Sequence, residues 1–157
     1  MPDWCDEGRD INCRGIIPQS ISHFHAVVRI GRGVCEAIID PGSARTIIDE
    51  NTAKRMRLPI QLADDRVTYG SYWGPSGPAS NYHGRIKMDG LKIEFGPGLY
   101  VFVDEIKVIK SEEALLLIGN DVLANNSGKW KFVSLGMHPR KGIGNMVFAG
   151  KRDTFTV

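Results

Sequence analysis

The chain has 157 residues, with 20 Lys plus Arg against 18 Asp plus Glu, a formal net charge of +2. At roughly 150 residues per domain this is one domain, long enough for a hydrophobic core without disulfide staples. An apolar fraction of 42% and a charged fraction of 24% exclude a disordered chain, a coiled coil and a collagen-like repeat.

No apolar run approaches the roughly 20 residues needed to span a bilayer, so no membrane partner is expected. The start, Met1-Pro2-Asp3-Trp4-Cys5-Asp6-Glu7, is acidic and lacks the apolar stretch of a secretion signal. The cysteines Cys5, Cys13 and Cys35 are odd in number, which points to free thiols in a reducing compartment. The 18 Gly and 8 Pro suit short strands and turns rather than long helices.

Residues 1–22 show little periodicity and read as an irregular N-terminal arm, with Ile16 and Ile17 as an anchor. A strand from His23 to Ile30, the tight turn Gly31-Arg32-Gly33 and a returning strand from Val34 to Ile39 follow. Ala37-Ile38-Ile39 is continuously apolar, so its end is expected to be buried on both faces. Asp40-Pro41-Gly42-Ser43 is a turn, and Thr46-Ile47-Ile48 another short apolar run. Asp49 is placed to cap a helix with Glu50 and Thr52 in its first turn. Ala53, Met56 and Leu58 share one face of that helix, and Pro59 stops it.

Residues 60–68 read as a polar strand, and 69–80 as a loop rich in Gly, Pro and aromatics. Strands are expected at Tyr82–Lys87, Leu91–Phe95 and Leu99–Val108, separated by Met88-Asp89-Gly90 and Gly96-Pro97-Gly98. Ala114-Leu115-Leu116-Leu117-Ile118 is the most apolar segment and ends at Gly119. Asp121 to Asn125 reads as a short helix, and Trp130 to Val133 as a strand. Met146-Val147-Phe148 and Thr154–Val157 read as two edge strands. The fold class is all-β: a small, closed, barrel-like body with one or two short helices. The chain divides into the arm at 1–22, a body at 23–135 and C-terminal strands at 136–157.

Two segments stand out together. The first is Ile38-Ile39-Asp40-Pro41-Gly42-Ser43. The second is Leu117-Ile118-Gly119-Asn120-Asp121, and the Gly-rich aromatic segment lies between them. This order of three elements, over roughly residues 24–133 and including Ile47-Ile48…Ala53…Met56-Arg57-Leu58-Pro59, resembles the retropepsin family of retroviral and retrotransposon aspartic proteases. The resemblance implies a water activated between two carboxylates that share one proton, one acting as base and the other as acid. The sequence offers a single such loop. The second Asp40 must then come from a second copy, so the resemblance implies a homodimer with its site on the two-fold axis.

The same resemblance implies roles for the neighbours. Gly42 permits close backbone approach, and Ser43 is expected to hydrogen-bond the Asp40 carboxylate. Residues 69–82 form a flap over a peptide or polyprotein substrate, with Tyr69, Gly70, Tyr72, Trp73 and Gly74 as its contact residues. Ile118, Gly119 and Asn120 form a supporting loop packed against the catalytic loop. No cofactor or metal is implied. The expected setting is cytoplasmic or virion-associated, not secreted, within polyprotein processing. Alternatives are a weak or inactive module for peptide binding or dimerisation, and a protease domain of a cellular protein.

Two departures from the family pattern matter. Pro41 stands where the family has Thr or Ser, so the hydroxyl and N–H that link two catalytic loops across a dimer are both absent. The arm and the tail after Val133 are the candidates to supply dimer strands in their place. Ala44 and Asn120 stand where viral members often carry an acidic residue and an Arg that pair. Arg45 and Asp121, one position along, are the expected replacement pair.

The remaining signals read structurally. Cys5, Cys13, His23 and His25 match no common zinc spacing. Cys35 is a small core residue. Asp104, Glu105, Glu112 and Glu113 are solvated loop residues. Lys129-Trp130-Lys131, Arg140-Lys141 and Lys151-Arg152 form a solvated basic face, and nucleic acid is not an expected partner. Trp73, a large aromatic among Gly and Pro, reads as a ligand or partner contact.

Overall fold

A computed structural model describes residues 10–16, 24–73, 79–125, 130–138 and 143–150. Strands dominate, as the alternating apolar pattern requires. β1 (Asp10–Ile16), β2 (Phe24–Ile30) and β3 (Gly33–Ile39) come first. In β2, Phe24, Ala26, Val28 and Ile30 face inward while Val27 and Arg29 face solvent. That is the period of two of a half-buried strand. Gly31 makes the hairpin turn at φ +60°, a conformation that glycine adopts without strain.

β4 (Ile47–Asp49) runs into α1 (Glu50–Arg55). The Asp49 side chain accepts the Thr52 N–H at 3.0 Å, the cap read from the sequence. Arg57 ends the turn at φ +57°, and Ala53, Met56 and Leu58 are buried. The polar strand expected over 60–68 is reduced to β5 (Gln61–Leu62). After it the chain turns, because the Asp64 carboxylate accepts the N–H groups of Arg66 and Val67.

β6 (Ser71–Tyr72) and β7 (Ser80–Asn81) pair only with each other, as a separate two-stranded hairpin. β8 (Gly84–Ile86), β9 (Lys92–Gly96), β10 (Leu99–Phe102) and β11 (Ile106–Ile109) follow. The β character expected over 99–108 is thus split into two strands. β12 (Leu116–Ile118) leads into α2 (Asn120–Leu123), which starts one residue before the expected helix. β13 (Trp130–His138) and β14 (Ile143–Gly150) close the described chain.

The main sheet runs β13-β14-β1-β2-β3-β12-β4-β11-β8-β5, with β9 joined to β2 and β10 to β9. It curls into a half-barrel around one core. Ile30, Ile48, Ile86, Ile93, Ile106 and Ile118 are fully enclosed there. Each such side chain contributes about 1.5–3 kcal/mol by leaving water.

Two sequence expectations are corrected at the ends of the chain. Residues 10–16 are a strand rather than irregular, paired along their whole length with β14 from Asp10↔Ala149 to Ile16↔Ile143. β14 is not an edge strand. It lies between β13 and β1, and its Met146 and Phe148 are buried. Phe148 packs on Phe95 and Phe132, with ring centroids 5.3 and 5.9 Å away. The strand expected at Thr154–Val157 lies outside the described residues.

Candidate active site

Asp40 follows β3 directly, and the sheet fixes it there. β3 and β12 run parallel, with Leu117 beside Ile38 and Ile118 beside Ile39. The Asp40 N–H donates to the Ile118 carbonyl at 2.9 Å and so extends that pairing by one residue. The chain then turns, with the Ser43 N–H donating to the Asp40 carbonyl at 3.1 Å. The Gly42 N–H donates to Asp40 Oδ1 at 2.9 Å. This contact orients the carboxylate, and the side chain remains partly exposed. A Cβ on Gly42 would lie 3.1 Å from that oxygen, so glycine suits the approach. Pro41 is exposed at the turn.

The expected Ser43–carboxylate bond does not form. The Ser43 hydroxyl donates instead to the Arg45 carbonyl at 3.0 Å, inside its own loop. The expected Arg45–Asp121 pair is also absent. Both oxygens of Asp121 are taken by Thr46: its N–H donates to Oδ2 at 3.0 Å and its hydroxyl to Oδ1 at 2.7 Å. The same hydroxyl accepts the Gly119 N–H at 3.0 Å. Thr46 is fully buried and joins the two segments that the sequence singled out.

Gly119 and Asn120 sit against the loop that follows Asp40. The Asn120 N–H donates to the Ser43 carbonyl at 2.7 Å. A Cβ on Gly119 would meet the Arg45 carbonyl carbon at 2.6 Å and the Ser43 oxygen at 2.9 Å. Only a residue without a side chain fits that contact.

Within the segment 69–82, Ser71–Tyr72 and Ser80–Asn81 pair as the β6–β7 hairpin. Tyr72 stacks on the buried Tyr82, with centroids 5.1 Å apart. Trp73 is 79% exposed, and Gly74 lies outside the described residues. Gly70 holds φ +96° and accepts the Tyr82 N–H at 3.0 Å through its carbonyl.

The anchor of this hairpin was not read from the sequence. Lys107 Nζ donates to the Tyr69 carbonyl at 2.6 Å and pairs with Glu105 at 2.7 Å. The Arg85 guanidinium lies over the Tyr69 ring, 4.5 Å from its centroid, and pairs with the same carboxylate at 3.4 Å. Glu105 is therefore not a solvated loop residue. Burial alone pushes its carboxyl up, but the Lys107 hydrogen bond and charge, joined by Arg85, outweigh burial and hold it below the ordinary value. The available signal was a lone Lys inside the apolar run Ile106-Lys107-Val108-Ile109. Such a residue needs a partner, because burying an unpaired ammonium is costly.

Other candidates are dispersed. His25 Nδ1 lies 2.7 Å from Glu36 Oε1. The side chains of Cys5, Cys13 and His23 lie outside the described residues. Cys35 packs against the core. Burial raises its thiol pKa, with Arg55 opposing. Among the described residues, no helix is long and apolar enough to cross a membrane.

No protein-family model and no curated relative matches the sequence. Solved structures do. The chain is similar to a retropepsin-like aspartic protease from Rickettsia conorii, with TM-score 0.57 and 12% identity over 90% of this chain and 94% of that one. It also matches the retroviral protease-like domain of Ddi1 from Leishmania major, at TM-score 0.43 and 22% identity, over 64% of this chain and 74% of that one. At such identities the first likeness establishes the fold: this chain has a retropepsin-like fold.

Proposed function

We propose that this retropepsin-like chain is an aspartic endopeptidase that works as a homodimer, with Asp40 of each copy forming the catalytic pair. One observation carries the reading. Asp40 stands at the buried end of β3, its N–H tied to the Ile118 carbonyl of β12 and its carboxylate oriented by the Gly42 N–H. The Gly42 contact is that of any Asx turn; what sets Asp40 apart is that its N–H extends the parallel β3–β12 pairing.

In the proposed reaction the two carboxylates share one proton, since like charges about 3 Å apart do not both ionise. The ionised one takes a proton from water as its oxygen attacks the scissile carbonyl. The protonated one gives its proton to the carbonyl oxygen. The tetrahedral diol then collapses: the C–N bond breaks, the amine leaves with the proton taken from water, and a diol hydroxyl gives its proton back to the pair, leaving a carboxylic acid and a pair that again shares one proton. The flap covers an extended peptide and excludes water. The proposed setting is polyprotein processing in a retroelement or retrovirus-like context.

Pro41 favours a second reading, a peptide-binding or dimerisation module on the same fold. Without a hydroxyl and N–H at this position, the loop has lost the groups that the family uses to link its two halves. A mixing experiment separates the readings. Wild type and Asp40→Asn are allowed to exchange subunits at constant total concentration. The shared-site protease loses activity as the square of the wild-type fraction. A linear loss contradicts a shared site, and no activity in pure wild type favours the module.

A further inference from the structure

The β6–β7 hairpin stands on the main sheet by two legs. The first is Tyr69, whose carbonyl accepts Lys107 Nζ at 2.6 Å. The second is His83, the residue after Tyr82. Its N–H donates to the Val108 carbonyl at 2.8 Å, and its own carbonyl accepts the Ala63 N–H at 2.9 Å. Beyond it, toward the tip, β7 pairs only with β6. The Tyr82 N–H, bonded to the Gly70 carbonyl at 3.0 Å, joins the two legs.

The His83 ring is tied as well. Its Nε2 lies 3.0 Å from Glu50 Oε2, and the other oxygen of Glu50 takes Lys54 at 2.9 Å. Glu50 is a firm post. It opens α1 directly after the buried Asp49, which exchanges two hydrogen bonds with the Leu115 backbone at 2.9 and 2.8 Å. The other titratable groups beside the ring are Asp64, Tyr72, Tyr82 and Lys110, which line with it one cavity of about 480 Å³. Asp64 is engaged by the Arg66 and Val67 N–H groups, and Glu50 is the carboxylate that the ring meets. The Lys54 hydrogen bond, joined by the charges of His83, Lys54 and Lys110, outweighs burial and holds the Glu50 carboxyl below its ordinary value. Glu50 thus stays a carboxylate in mild acid. A neutral imidazole offers it one N–H, whereas an imidazolium makes a charge-assisted bond about twice as strong. Histidine is the side chain that changes charge between about pH 5 and 8.

We propose that His83 is a positioning residue that sets how firmly the flap is held, through a bond to Glu50 that tightens on acidification. This rests on the flap reading of the proposed function, but its first test needs no hydrolysis. Amide hydrogen exchange of the full chain is followed by NMR at about pH 5.5 and about pH 7.5. The protection factor of the Tyr82 amide is expected to be about two- to fivefold higher at the lower pH, the size of a partly exposed ion pair. The Asp40 amide, bonded to Ile118 in the main sheet, is the reference and is expected not to change. His83→Gln and Glu50→Gln are each expected to remove the difference and leave the lower value. His83→Lys keeps a cation and is expected to hold the higher value at both pH values. Equal Tyr82 protection at both pH values in wild type, a difference that survives either Gln variant, or His83→Lys behaving like His83→Gln would each overturn the inference.

Cleavage is scored separately. At the lower pH, His83→Gln is expected to raise KM about two- to fivefold with kcat changed less. Protection that follows His83 while KM does not move would overturn the positioning role. Protection that follows His83 in a wild type that cleaves nothing sinks the protease reading and keeps the tether. Cleavage by a wild type whose Tyr82 amide is indifferent to pH does the reverse.

Discussion

Thr46 and Asp121 meet through two hydrogen bonds, N–H to Oδ2 at 3.0 Å and hydroxyl to Oδ1 at 2.7 Å, across 75 residues of sequence. The Thr46 hydroxyl also accepts the Gly119 N–H. One buried side chain thus holds the Asp40 loop to the segment after β12. Thr46→Val is isosteric but removes the hydroxyl and leaves two polar partners short. We expect a loss of about 1–3 kcal/mol in urea unfolding. Thr46→Ser keeps the hydroxyl and is expected to lose clearly less.

Gly119→Ala places a methyl group against the backbone of Ser43 and Arg45. Backbone does not yield as a flexible side-chain tip does, so the Asp40 loop must shift. A misplacement of about 1 Å costs roughly a hundredfold in rate. We expect peptidase activity to fall by at least tenfold in protein whose circular dichroism remains folded.

Lys107→Met removes the cation that ties Tyr69 to Glu105 and leaves the carboxylate with Arg85 alone. The hairpin base loosens while Asp40 is untouched. We expect KM for a peptide substrate to rise several-fold with kcat less affected, since the lost interaction positions the flap rather than the reacting atoms. Equal effects on both would contradict an anchoring role.

Asp49 and Glu105 make the protein acid-sensitive. Burial pushes the Asp49 carboxyl up, but N–H groups of Leu115 at 2.8 Å and Thr52 at 3.0 Å outweigh it and lower it overall. Glu105 is lowered by its cations. A carboxyl lowered in the folded state binds fewer protons there than when unfolded, so stability rises with pH. Its contribution is complete above the ordinary carboxylate range and is lost as pH falls below that range. We expect Tm to fall on acidification from the ordinary carboxylate range downward, and the slope to be reduced in Asp49→Asn. An unchanged slope would contradict this assignment.

The legible parts of the sequence were those set by local chemistry. Asp49 followed by Glu50 and Thr52 announces a cap. The alternation of Phe24, Ala26, Val28 and Ile30 announces a half-buried strand. Asp40 and Gly119 were legible because a tight loop demands these residue types. The Asp10–Ile16 strand was not, because its order comes from pairing with Ile143–Gly150, more than a hundred residues away. Two pairings were misread for a similar reason. Ser43 bonds within its loop rather than to Asp40, and Asp121 takes Thr46 rather than Arg45. Short-range sequence proximity does not show which of two donors lies at hydrogen-bonding distance. Lys107 was missed because strand pattern alone assigns a lysine to the solvent face.

The most direct measurement is cleavage of a diverse peptide mixture by wild type beside Asp40→Asn, read by mass spectrometry at mildly acidic and neutral pH. Asn keeps an oxygen for the Gly42 N–H, so the loop survives the change. We predict site-specific peptide-bond cleavage by wild type that is lost in Asp40→Asn. Equal cleavage by both proteins, or none by a wild type that is folded and dimeric, would contradict an aspartic protease built on Asp40.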